Sequence, residues 1–168
     1  RTDVSDVTTY AYYTANDPSG NYRIGDLASV TNALGYVTQI THYDAHGKPK
    51  RMIDANGLVT QLDYWPRGWL KSRTVGALLT TFDYDGVGQL KKMTNPDSSF
   101  VSYTYDPAHR LTDITDTGGN TLHYTLDLMG NVTKEDLKNS LGVVIASKTR
   151  QFDALSRLQK ELNAANAE

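Results

Sequence analysis

Cysteine is absent from the 168 residues, which excludes disulfides, thiolate metal sites and a cysteine nucleophile and leaves the redox compartment open. A dominant charge is missing as well: 17 Lys and Arg stand against 19 Asp and Glu, for a formal net charge of −2. No net positive field draws nucleic acid or anionic lipid, so no electrostatically driven partner is expected. Long apolar runs are also lacking. The nearest, Val75 to Leu79 and Leu141 to Ala146, fall far short of the roughly 20 residues a membrane-spanning helix needs, and no membrane insertion is expected. Hydrophobic residues make up 39%, low for a globular chain yet compatible with a modest core in one ordinary domain. Neither an initiator Met nor a signal-peptide pattern stands at Arg1, and the chain is read as a segment of something longer.

What is present is a period. Aromatic or large apolar residues recur at Tyr43, Tyr64, Tyr84, Tyr105, Leu126 and Phe152, in steps of 21, 20, 21, 21 and 26. Periodicity on this scale marks a repeat architecture. An acidic residue follows each anchor at Asp44, Asp85, Asp106, Asp127 and Asp153, with Trp65 as the exception. The fourth position after the anchor is Gly47, Gly68, Gly88 or Gly130, replaced twice, by His109 and Ser156. Two positions further on stand Leu70, Leu90, Leu111, Val132 and Leu158, with Pro49 as the outlier. An earlier, degenerate copy places Gly25 and Leu27 in these roles, for six to seven copies in all.

Aspartate hydrogen-bonds backbone groups just downstream of itself, and glycine accepts the positive φ of a tight turn, so each Asp-x-x-Gly reads as a chain reversal. Before each anchor the residues alternate: Leu58, Thr60, Leu62 and Tyr64 share one face, while Val59, Gln61, Asp63 and Trp65 share the other. These are strands. After the turn, apolar residues stand three apart, as in Leu90 with Met93 and Leu111 with Ile114. An odd spacing flips the face of a pleated strand, so either a bulge intervenes or both faces are partly covered. A second set of turn formers follows at Asp54-Ala-Asn-Gly57, Asn95-Pro-Asp-Ser98 and Asp116-Thr-Gly-Gly119. The expected fold is all-β: tandem antiparallel β-hairpins in one continuous curled sheet. A lead-in strand or loop over residues 1–20, a repeat domain over 21–163 and a tail over 164–168 are expected. The tyrosines, meeting at one strand position, are expected to stack into a ladder with substantial buried area.

Tyr84-Asp-Gly-Val-Gly-Gln-Leu90, and Tyr103-Thr-Tyr105-Asp106 leading through Arg110-Leu111, resemble the YD repeat of Rhs proteins, which teneurins and insecticidal toxin complexes also carry. The resemblance covers residues 21–163 and departs from the motif at Pro49, Trp65, His109 and Ser156. It implies a spiralling sheet of hairpins forming the wall of a hollow shell, which in bacterial relatives encloses a C-terminal toxin. It further implies a secreted or cell-surface bacterial protein whose partners are the remaining repeats and the cargo of its parent. Asp106-Pro107 precedes Ala108-His-Arg110 and takes no self-cleaving role. Seven hairpins make about 14 strands, and at about 4.8 Å apiece these span roughly 67 Å, or a circle about 21 Å across. A cargo of about 100 residues has a radius of gyration near 13 Å, so this segment is part of a container and not a container. Unpaired end strands favour end-to-end self-association.

No catalytic, cofactor or metal site is expected. His42 and His46 are four apart, but strand and turn placement removes the helical logic of metalloprotease motifs. Asp83-Tyr-Asp85-Gly-Val-Gly88 is faintly like a calcium loop, yet Thr94 stands where the bidentate Glu belongs. No nucleophile elbow or phosphate loop surrounds any Ser, His or Asp. Asn131-Val-Thr133 is read as a chance sequon. Tyr64-Trp-Pro-Arg-Gly-Trp69 is the most unusual composition, and Trp65 and Trp69 are the candidate contacts for a glycan or protein partner in an alternative, adhesive reading.

Overall fold

The computed structural model describes residues 6–165. They form strands β1 (Thr9–Tyr12), β2 (Leu27–Thr31), β3 (Val37–Tyr43), β4 (Pro49–Ile53), β5 (Val59–Tyr64), β6 (Leu70–Val75) and β7 (Leu78–Tyr84). There follow β8 (Leu90–Thr94), β9 (Phe100–Tyr105), β10 (Leu111–Asp116), β11 (Thr121–Leu126), β12 (Val132–Lys138), β13 (Val144–Phe152) and β14 (Leu158–Ala165). The hydrogen-bonded order is the sequence order, β1 to β14, in a single antiparallel sheet. Two compact units divide it, Arg1–Thr81 and Phe82–Glu168.

Regularity comes from the turns. A backbone pattern recurs at eleven places, headed by Asn32, Asp44, Asp54, Trp65, Asp85, Asn95, Asp106, Asp116, Asp127, Asn139 and Asp153. In each, the head N–H donates to the carbonyl four residues on, and the head carbonyl accepts the N–H three residues on. In eight of them, headed by Asn32, Asp44, Asp54, Asp85, Asp106, Asp127, Asn139 and Asp153, the side-chain Oδ1 accepts the N–H groups two and four residues on. The carboxamides of Asn32 and Asn139 do this as the carboxylates do, because one oxygen suffices. Both ends of the hairpins therefore use one turn chemistry.

The fourth turn position has positive φ even where glycine is missing: Ser98 at 68°, His109 at 64° and Ser156 at 59°. A non-glycine residue there crowds its Cβ against the neighbouring carbonyl, by about 1–2 kcal/mol. Among the described residues Ser98 makes no side-chain hydrogen bond to offset it, unlike Ser156 and His109. Ser98→Gly is therefore expected to raise unfolding free energy by about 0.5–1 kcal/mol, the glycine's extra chain entropy offsetting part of the relief. A urea midpoint that stays or falls would contradict this.

Bulges account for the odd apolar spacing. Leu111 pairs with Tyr105 but Asp113 pairs with Thr104, which leaves Thr112 as the extra residue. The same shift makes Lys71, Thr133 and Gln159 extra residues opposite Tyr64, Leu126 and Phe152. One inserted residue restores parity, so Leu111 and Ile114 both lie on the tyrosine face. Where the extra residue is Thr112 or Thr133, its hydroxyl donates to the carbonyl of Thr104 or Thr125, at 3.2 and 3.1 Å.

The modest core allowed by composition does not form. Among the described residues only Ile40, at 5%, and Asp136, at 6%, fall below a tenth exposure. A lone sheet has no second layer to bury a face against. Its neighbouring hairpins supply the stabilisation instead.

Candidate functional site

The repeat anchors fall at equivalent points. Tyr43, Tyr64, Tyr84, Tyr105, Leu126 and Phe152 each end a strand, and Pro49, Leu70, Leu90, Leu111, Val132 and Leu158 each begin the next. Between them lie the turn heads Asp44, Asp85, Asp106, Asp127 and Asp153, with Gly47, Gly68, Gly88 and Gly130 at positive φ.

The tyrosines act through their hydroxyls. Tyr43 donates to the carbonyl of Leu27 at 2.6 Å, Tyr64 to Pro49 at 2.9 Å, and Tyr105 to Leu90 at 2.9 Å. Each anchor is thereby tied to the first residue of the even-numbered strand in the hairpin before it. The ring-stacked ladder expected from the sequence is corrected by this geometry. Successive anchors stand two strands apart, about 10 Å, which exceeds the reach of ring-on-ring contact. An apolar residue such as Leu111, opposite Tyr105, fills the strand between. Burial pushes the phenols of Tyr43, Tyr64, Tyr84 and Tyr105 above their ordinary values, which keeps the donating proton in place.

A second line of contacts runs from turn to turn and had no clear sequence signal. The residue four positions after the turn head reaches into the next such turn. The Lys48 ammonium donates to the carbonyl of Gly68, Gln89 Nε2 to the carbonyl of His109 at 2.8 Å, and Arg110 to the carbonyl of Asp127 at 2.8 Å. Asn131 Nδ2 donates to Ser156 Oγ at 3.1 Å and to Asp127 Oδ2 at 2.9 Å, so the sequon nitrogen is engaged. Lys, Gln, Arg and Asn share long or amide donors but no single residue type, so alignment of the copies hides the position.

These hydrogen bonds depress the turn carboxyls. For Asp44, Asp85, Asp106 and Asp153 the backbone N–H four residues on is the leading cause. For Asp116 and Asp127 it is the side-chain amide of Asn120 or Asn131. On the face opposite the tyrosines, a polar row crosses Thr104, Asp113, His123, Asp136 and Ser147 on five adjacent strands. His123 Nδ1 lies 2.7 Å from Asp113 Oδ1. Asp136 accepts from Lys134 at 2.8 Å and from Ser147 at 2.7 Å, and the Lys134 bond is the first cause of its depressed pKa. Ser147 is thus paired with a carboxylate and not with the imidazole, an arrangement that does not activate a nucleophile.

The histidines of the first repeat are separate: His42 Nδ1 lies 2.9 Å from the Thr41 hydroxyl, while His46 sits on its turn 4.0 Å from Asp44 Oδ2. Trp65 heads a turn that keeps the backbone pattern without the aspartate cap. Lys71 lies over the Trp65 ring at 4.9 Å, and Arg67 over the Trp69 ring at 5.5 Å, so each indole already has a cation on its π-face.

With this geometry in view, the family model described as RHS Repeat matches residues 84–121 and 105–140. Residues 84–140 thus carry Rhs repeats. Comparison with the curated proteins finds no match. Among solved structures, the chain is similar to a TcdB2-TccC3-Cdc42 structure, with 20% identity and a TM-score of 0.62, over 90% of this chain and 8% of that chain. A TcdB2-TccC3 structure gives the same figures. The Photorhabdus luminescens Tc holotoxin pore is similar at 16% identity and a TM-score of 0.53, over 95% of this chain and 10% of that one. The likeness is one of fold, and the chain spans a tenth or less of these much longer relatives.

Proposed function

We propose that this chain is a wall segment of a shell-type scaffold that sequesters a toxin or other cargo carried elsewhere in its parent protein. The observation that carries this reading is a sheet in strict sequence order, one turn chemistry along both edges and, among the described residues, only two buried side chains. Such a sheet builds surface rather than a pocket. The Tc toxin likenesses support a scaffold within a toxin complex and a secreted bacterial setting. No residue of the repeats needs to react, and the wall works by excluding proteases and solvent. Its partners in this reading are the flanking repeats and the cargo.

The test is limited proteolysis of the intact parent protein. A segment lying outside the repeats is expected to survive protease until the repeats themselves are unfolded by denaturant, and then to be cut in step with them. Cleavage of every such segment while the repeats remain folded would overturn the shell.

A further inference from the structure

One connection breaks the repeat rule. Every other strand pair is joined by a short turn, whereas residues 13–26 between β1 and β2 form a long loop. Long loops without regular structure inside a compact array are commonly functional, and insertions in repeat arrays collect on binding faces. This one is firmly held. Tyr13 N–H donates to the carbonyl of Asp26 and Gly25 N–H to that of Tyr13, both at 2.9 Å. Asn16 caps Ile24 at 2.8 Å, and Asp17 caps Asn21 at 3.0 Å. Tyr43 N–H donates to the carbonyl of Asn21 at 2.7 Å, docking the loop on the first aspartate turn.

Between loop and turn lies a cleft of about 360 Å³, lined by Tyr22, Arg23, Asp26, Tyr43, Asp44 and His46 among others. Tyr22 is fixed as a platform by stacking on Tyr13, with ring centroids 3.5 Å apart and planes 7° apart. Asp26 uses one oxygen on the Arg23 N–H at 2.7 Å, and Asp44 uses one on its turn; among the described residues the second oxygen of each has no hydrogen bond, that of Asp44 lying 4.0 Å from His46 Nδ1. Among the described residues the Arg23 guanidinium and the Tyr22 hydroxyl make none either. The cleft thus offers two carboxylate acceptors, a guanidinium donor and an aromatic face, preorganised by the surrounding bonds.

We propose that this cleft is a saccharide-binding site. Two carboxylates oppose an anion, and the guanidinium opposes a cation. A neutral ligand whose hydroxyls both donate and accept satisfies all three, while its C–H face rests on Tyr22. This site is distinct from the Trp65 and Trp69 turn and stands independently of the shell.

The test is a series of amide NMR titrations of the chain with D-glucose, D-galactose, D-mannose and N-acetyl-D-glucosamine, beside sodium phosphate and tetramethylammonium chloride. At least one sugar is expected to shift the amides of residues 21–26 and 44–47 saturably, with a Kd on the order of 1 mM. Asp26→Asn and Arg23→Ala are each expected to weaken it about tenfold, while Trp69→Ala leaves it unchanged. The Arg23 side chain makes no hydrogen bond among the described residues, so its removal leaves the loop bonded, and Asn at 26 still accepts the Arg23 N–H. The proposal is overturned if none of the four sugars gives a saturable shift at these amides. It also fails if the two cleft variants bind as the native chain does, or if phosphate or tetramethylammonium binds there more tightly than every sugar.

Discussion

Replacing Tyr105 with alanine is expected to lower the unfolding free energy by about 2–3 kcal/mol, against about 1 kcal/mol for Tyr105→Phe. The difference follows from two separable contributions. Tyr105 closes β9 opposite Leu111, and its ring is half-buried on the apolar face. Truncating a fully buried aromatic removes about 3–5 kcal/mol, and a ring wet on one side loses less. The hydroxyl bond to Leu90 adds the ordinary net value of one hydrogen bond. Phenylalanine removes only the second contribution and alanine removes both. Phe152 and Leu126 occupy the same position without a hydroxyl, so the array tolerates losing that bond at single copies. Urea midpoints of the two variants decide the matter. Equal midpoints for Tyr105→Phe and Tyr105→Ala would assign the whole effect to the hydrogen bond, and no change in either would remove the tyrosine tie from the account of stability.

How far the sequence reaches is instructive at particular residues. The Asp-x-x-Gly signature locates turns because both residues have a local task, one as acceptor and one as host of positive φ. The alternation from Leu58 to Tyr64 marks a strand for the same local reason. What lay beyond view was whatever depends on a neighbouring strand. His109 and Ser156 read as motif failures, yet each adopts the glycine conformation and bonds to an adjacent repeat, His109 to Gln89 and Ser156 to Asn131. The bulge at Thr112 was one of two open explanations until the register with Tyr105 and Thr104 fixed it. Asp136 shows no motif at all. Its burial comes from Lys134 beside it and Ser147 on the next strand. Residues 13–20 read as lead-in and 21–26 as part of a degenerate first repeat, whereas in the fold they form one long loop that lines a cleft with the first aspartate turn.

Acid is expected to unfold the array cooperatively, with stability level from neutral pH to about 5 and falling steeply below about 4. Asp44, Asp85, Asp106, Asp116, Asp127, Asp136 and Asp153 all have carboxyls held below the ordinary 3.8 in the folded state. A carboxyl depressed by folding contributes stability above its unfolded pKa and loses that contribution as pH falls through the folded value. The unfolded chain therefore binds more protons in this window, and protonation pulls the equilibrium toward it. Most of these groups face solvent, so each acts weakly. The size of the effect comes from repetition of one turn along the chain. Asn32 and Asn139 supply an internal control, since they cap the same turn with an oxygen that does not titrate. Asp127→Asn is accordingly expected to keep the fold at pH 7 and to reduce proton uptake on acid unfolding, by less than one proton. Replacing Asp44, Asp85, Asp106, Asp127 and Asp153 together is expected to flatten the pH profile between about 5 and 3. A denaturant midpoint that falls equally steeply in the fivefold variant would place the acid sensitivity elsewhere, and a fivefold variant unfolded at pH 7 would mean that the turn requires the charge as well as the oxygen.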